Sequence, residues 1–242
     1  MPIGVIINCL SVAAGGLFGS AAGSKMSDSF KASLNMIFGL ASISMGISSL
    51  VLMKNMPACI FSLIIGTAIG LAIHFGELVN RMGMVIKNIA FRVLPKPAGG
   101  MSDVEYDAEL LTIVVLFCAS GTGIYGSLVA GMSGDHSILI SKSVLDLFTA
   151  AIFACTLGYA VPFIALPQFV IFFILFLLGG LIYPYTTPEM IDDFKAVGGM
   201  VLVGNGFRML KLKAFPVADM IIAMVLAMPV SGIWTSFVAP LL

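Results

Sequence analysis

Hydrophobic positions in this chain come in long blocks, not in strict alternation. The apolar runs repeatedly approach the roughly 20 residues that a helix needs to cross a bilayer. They predict eight spans, at about 3–23, 33–53, 57–75, 108–130, 137–161, 167–183, 196–210 and 216–239. Between the third and fourth, Leu78, Met82, Val85, Ile89 and Val93 recur at helical spacing opposite Asn80, Arg81, Lys87 and Arg92. That pattern predicts an amphipathic helix lying on the membrane surface as an anchor. The Pro/Gly stretch after it ends the helix, and Ser102 with Glu105 three residues on forms a capping box that starts the next one. The fold class that follows is an all-α polytopic integral membrane protein.

One segment repeats. At an offset of 164 residues, MSDSFKASLNM (26–36) aligns with MIDDFKAVGGM (190–200), six of eleven positions being identical, and Gly15 to Leu17 recurs at Gly179 to Leu181. Ordinary composition would give about one identity in such a window. Pro57 matches Pro216 if the second copy is five residues shorter. Spans 1 to 3 then correspond to spans 6 to 8, and because five spans precede the second copy the two enter the membrane in opposite directions. The expected organisation is a first three-span repeat (1–75), a cytoplasmic amphipathic helix and linker (76–103), a central two-span unit (104–161) and a second, inverted repeat (162–242). Inverted repeats are common in secondary transporters, whose sites lie near the midplane at the repeat interface.

Composition sharpens this picture. Hydrophobic residues make up 60% and charged residues 10% of the 242 positions, with 12 basic and 12 acidic side chains. The bulk charge therefore gives no reason to look for a nucleic-acid partner; partners are the lipid bilayer, a small solute or ion and, if the protein self-associates, further copies. Lys25, Lys31, Arg81, Lys87, Arg92, Lys96, Arg208, Lys211 and Lys213 fall on one side under this scheme, which makes that side cytoplasmic and puts both termini outside. The start MPIGVIINCL lacks a basic n-region and reads as the opening of the first span. Cys9, Cys59, Cys118 and Cys155 stand singly in apolar segments, so neither a metal nor a cofactor is implied.

Candidate chemistry is concentrated in GDHSILISKSVLDLF, 134–148. Asp146 lies about 15 Å into its helix, at mid-membrane. Lys142 is one turn away at i,i+4 spacing, so the two side chains share a face and can neutralise each other. Ser141 and Ser143 add hydroxyls. A charge at the bilayer centre costs about 2.5–3.5 kcal/mol on insertion scales, and such residues usually mark a substrate or ion path. In the preceding span, ASGTGIYGS places Gly121, Gly123 and Gly126 within six residues. Either the helix breaks there and offers backbone groups, Thr122 and Tyr125 to a cavity, or the glycines allow close packing. Gly15, Gly19 and Gly23 form a smooth face in span 1 that reads as packing. Asp135 and His136 sit at the outer mouth of span 5, as a helix cap or as a gate and proton entry. Asn205, in span 7, is a secondary candidate whose simpler role is interhelical hydrogen bonding.

The run GDHSILISKSVLDLFTAAIFACTLG, with the opening MPIGVIINCLSVAAGGLFG and the late AVGGMVLVGNGF, resembles the YqgA-like family of uncharacterised bacterial inner-membrane proteins. The resemblance implies a bacterial plasma membrane location and supplies no substrate. The reading that follows from the residues is a small-solute or ion transporter, with proton coupling as one form of it. The alternative is a non-transporting scaffold or sensor in which Lys142 and Asp146 only hold helices together. No motif of enzyme chemistry occurs in convincing context.

Overall fold

The computed structural model describes residues 1–22, 27–90 and 103–241. Among these the regular elements are helices, with no strand: α1 (Ile3–Ala22), α2 (Asp28–Leu50), α3 (Met56–Ala72), α4 (Phe75–Ala90), α5 (Asp103–Cys118), α6 (Gly121–Ser133), α7 (Ser137–Leu157), α8 (Ala160–Phe163), α9 (Ala165–Ile182), α10 (Pro188–Met209) and α11 (Ile221–Ile233). Five helical segments among the described residues are long and apolar enough to cross a bilayer, or six if α3 and α4 are counted as one span broken near His74. Eight were expected. Of the rest, α3 has 17 residues, α2 contributes a shorter apolar stretch (Met36–Leu50), and α10 carries Glu189, Asp192, Asp193 and Lys195 in its opening turns. Thr187 caps α10, accepting from the Met190 amide, and Pro188 opens it, so this helix starts well before residue 196. A helix, α4, stands where the surface helix was expected, whereas the capping box at Ser102 and Glu105 lies outside the described residues and side chains.

The chain divides into two compact units, each drawn from both halves of the sequence. The first comprises Met1–Asn35 and Val79–Leu181. Its axis is the pair α1 and α7. A Cβ placed on Gly15 would come within 2.0 Å of the Leu147 carbonyl oxygen, and one on Gly19 within 2.1 Å of that of Ala151. These two glycines therefore let α1 lie against the backbone of α7, as the smooth-face reading anticipated; Gly23 lies outside the described residues. Gly134 (φ 71°) ends α6 and Gly158 (φ 62°) ends α7, both in a region that glycine enters without cost. Phe117, Leu139, Leu157 and Phe172 are fully buried in the core that results.

The second unit comprises Met36–Leu78 and Ile182–Leu242. Here α2 and α10 meet backbone to backbone. A Cβ on Gly46 would lie 2.6 Å from the Gly199 carbonyl oxygen, and one on Gly199 would lie 2.6 Å from that of Gly46. Gly39 and Gly206 repeat the arrangement, so the two helices run antiparallel. Likewise, Gly66 faces Ala223 and Gly70 faces Asp219, which sets α3 antiparallel to α11. The turn before α3 is fixed by Asp193, a fully buried carboxylate of α10. Its Oδ1 accepts from the amides of Lys54 (2.8 Å) and Asn55 (2.9 Å), and its Oδ2 from Asn55 Nδ2 (2.8 Å) and the Ser231 hydroxyl (2.6 Å). Asp219 does the same kind of work at the next turn, accepting from the Gly76 amide at 2.8 Å.

Asp193→Ala takes the acceptor from the buried Ser231 hydroxyl and from three partly buried donors of Lys54 and Asn55, at about 1–3 kcal/mol for a donor left buried and unpaired. The variant should lose about 3 kcal/mol or more in a reversible unfolding measurement in detergent, and Asp193→Asn should lose less. An alanine variant as stable as the native protein would remove Asp193 from this role.

Candidate functional site

Lys142 and Asp146 lie on the inward face of α7 and are both buried, with side chains 5% and 9% exposed. Lys142 Nζ donates to Asp146 Oδ2 at 2.5 Å, across the i,i+4 spacing read from the sequence. The ammonium also lies 5.8 Å from the centre of the Phe117 ring, within range of a cation–π attraction. Phe117 occupies the last turn of α5, immediately before the helix is interrupted at Ala119 and Ser120. Ser120 caps the next helix, its hydroxyl accepting from the Gly123 amide at 3.1 Å. The helix is thus interrupted one residue ahead of the glycine cluster, with Thr122 and Tyr125 buried.

Two residues that the sequence reading did not single out complete the arrangement. Asn8 of α1 donates through Nδ2 to the same Asp146 Oδ2 at 2.9 Å, and Gln168 of α9 donates through Nε2 to Asn8 Oδ1 at 2.7 Å. Both amide side chains are fully buried. A continuous polar chain thus runs from Lys142 through Asp146 and Asn8 to Gln168, joining α7, α1 and α9 within the first unit. The signal was available: Gln168 is the one polar side chain in ALPQFVIFFILFLLGGLI, and Asn8 interrupts an equally apolar run.

The other predicted residues divide. Ser143 is buried but its hydroxyl is bonded to the Leu139 carbonyl of its own helix at 2.6 Å, and Ser141 is exposed, off the face of the pair. Gly121, Thr122 and Gly123 are buried in the first turn of α6, where a Cβ on Gly123 would lie 2.1 Å from the Phe172 ring, so that glycine serves packing. Asp135 precedes the cap of α7, its Oδ1 accepting from the Ser137 amide at 3.0 Å and from the Ser137 hydroxyl. His136 stands at the N-cap of α7, with a buried Nδ1 that has no partner among the described residues. Asn205 belongs to the second unit and donates to Ser42 Oγ at 3.4 Å, linking α10 to α2. Among the described residues no cluster of His, Cys, Asp or Glu could hold a metal ion.

An apolar groove of about 500 Å³ runs between α1 and the α8–α9 corner. Ile6, Cys9 and Leu10 line it beside Ala165, Leu166 and Phe169, the sequence neighbours of Asn8 and Gln168, which themselves face away from it.

A family model described as a protein of unknown function (DUF554) matches residues 3–232. The chain is 43% identical over 239 residues to Uncharacterized protein YqgA of Escherichia coli (strain K12), covering 99% of this chain and 100% of that one. It is 25% identical over 228 residues to Uncharacterized membrane protein YdfK of Bacillus subtilis (strain 168), covering 90% of each. No solved structure matches. A family match from the third residue almost to the C-terminus makes this protein a member of the DUF554 family, and its own helices, long and apolar enough to span a bilayer, make it a helical membrane protein.

Proposed function

We propose that this protein moves a small solute or ion across the bacterial plasma membrane, and that Lys142 and Asp146 form the core of its site. The observation that carries this reading is the buried ion pair at mid-helix, wired to amides on two other helices and set beside the break between α5 and α6. Hydrocarbon offers such groups no partners, so polar networks and broken helices at membrane depth are kept where a solute or ion is handled. The scaffold reading draws its support from one feature: Asp146 and Lys142 satisfy each other, as a purely structural pair would.

Helix directions support an inverted repeat. The expected correspondence pairs α2 with α10 and α3 with α11, and both pairs are antiparallel. In the first unit, α1 runs alongside α7 in the same direction, since Gly4, Gly15 and Gly19 face Leu139, Leu147 and Ala151 in turn. By the same test α9 runs with α6, Gly123 and Gly131 facing Phe172 and Phe176. Because α6 and α7 are consecutive spans joined by a short turn, α1 and α9 point in opposite directions. Three corresponding pairs thus have the relation an inverted repeat demands. An experimental structure should superpose 1–75 on 162–242 about an axis in the membrane plane, with Phe30 on Phe194; copies that run parallel would end the repeat.

Orientation is tested separately. In a cysteine-free background, Asp135→Cys should react with an impermeant thiol reagent from outside the cell and Lys96→Cys only from inside, and the reverse pattern would invert the topology.

The ion pair decides between transporter and scaffold. Removing one charge leaves the other buried and unpaired, a loss of about 3–5 kcal/mol, whereas replacing both with apolar residues of similar volume is tolerated. The double variant Lys142→Met, Asp146→Leu leaves only the Asn8 amide without its acceptor, about 1–3 kcal/mol, and should therefore still fold yet fail to restore the solute pools that the native protein sets in cells lacking it. A well-folded double variant that restores those pools would leave the pair structural.

A further inference from the structure

The polar chain ends on an atom with nothing to bond to. Gln168 is fully buried, its Nε2 is committed to Asn8, and its Oε1 has no partner among the described residues. A buried carbonyl left without a donor is costly, and native folds rarely keep one for packing alone. From Asp146 outward, each amide gives its N–H toward the carboxylate, which leaves a bare acceptor at the far end. The chain therefore offers an ammonium at Lys142, a carboxylate at Asp146 and a surplus acceptor at Gln168.

Charge balance narrows the ligand. Lys142 and Asp146 together are neutral, so a lone anion or a lone cation entering their buried site would leave a net charge out of water, the most expensive outcome available. A ligand that carries both charges adds none. Its carboxylate can take the Lys142 ammonium in place of Asp146, and its ammonium, with three N–H donors, finds two acceptors along the chain, the freed Asp146 and, beyond Asn8, the unused Gln168 carbonyl. From this matching we infer that the site binds a small zwitterion with a primary ammonium and a carboxylate, of the amino-acid type, and that Gln168 is the residue that recognises the ammonium. The inference rests on the transport-site reading of the same ion pair, and binding can be measured without transport.

Purified native protein and Gln168→Met are compared by thermal unfolding with glycine, β-alanine and 4-aminobutyrate, against sodium acetate and methylammonium chloride at equal ionic strength. At least one zwitterion should raise the native Tm saturably, and the singly charged salts should not. Gln168→Met should weaken that zwitterion about tenfold or more, the loss of one charge-assisted hydrogen bond. Without ligand its Tm should fall modestly, because the unpaired Gln168 carbonyl goes but Asn8 Oδ1 loses its donor. A second readout needs no variant. Gln168 is the only glutamine in the chain, so in protein carrying ¹³C-labelled glutamine its side-chain carbonyl band can be followed alone by infrared spectroscopy. It should move to lower frequency when the zwitterion binds. The proposal is overturned if no zwitterion shifts the Tm, if acetate or methylammonium does so equally, if Gln168→Met binds like the native protein, or if the labelled band stays put. Zwitterion binding by a protein that alters no solute pool would overturn transport and leave this site; a solute pool that depends on the ion pair, with no zwitterion bound, would do the reverse.

Discussion

The distance between α1 and α7 is the constraint on which the site depends. With hydrogen atoms alone at Gly15 and Gly19, the backbone of α1 lies against the carbonyls of Leu147 and Ala151. Only at such a separation can an amide as short as Asn8 reach across to Asp146, and only then is Gln168 on α9 connected to the charged pair through it. Glycine packing and the buried polar chain thus depend on one another in this unit. The small residues provide no bonding energy of their own, but they set the spacing at which a buried carboxylate can be shared by a lysine and an amide.

How much of this was legible in the sequence follows from the range of each interaction. The i,i+4 pair of Lys142 and Asp146 was readable because helical geometry alone brings the two together. The break in span 4 was readable for a similar local reason, glycine clustering, although its place was set by Ser120, whose hydroxyl caps the new helix. Asn8 and Gln168 were not identified, because their partners lie 138 and 160 residues away, and no periodicity encodes a contact at that range. Ser141 illustrates the opposite error: adjacency to Lys142 suggested a shared site, but successive helical residues are about 100° apart and it faces outward. The expected eight spans relied on apolar runs, and α10 shows the limit of that rule. Its opening turns carry acidic residues that the fold uses, so the helix extends well beyond its apolar part.

Two buried carboxylates show how differently one functional group can be held. Asp193 spreads its two oxygens over backbone amides, an asparagine and a serine, with each oxygen accepting twice. All four donors are neutral and come from a turn and a helix that Asp193 itself ties down. Asp146 instead concentrates an ammonium and an amide on a single oxygen, Oδ2. The first arrangement spreads the carboxylate's charge over many fixed dipoles and locks a corner of the chain. The second depends on one charged partner carried on a long, rotatable side chain, which can be exchanged without unfolding a helix.

The seam between α2 and α10 carries a consequence for how this protein can vary. In most packed interfaces a side chain that grows on one helix can be accommodated by one that shrinks on the other, so paired changes explore new sequences at little cost. Gly46 meets Gly199 and Gly39 meets Gly206, and a carbon added to any of the four would lie within 3.1 Å of its partner's carbonyl oxygen. Neither side has anything left to give up. Compensation across the seam is closed in both directions, and these four positions can change only if the two helices move apart.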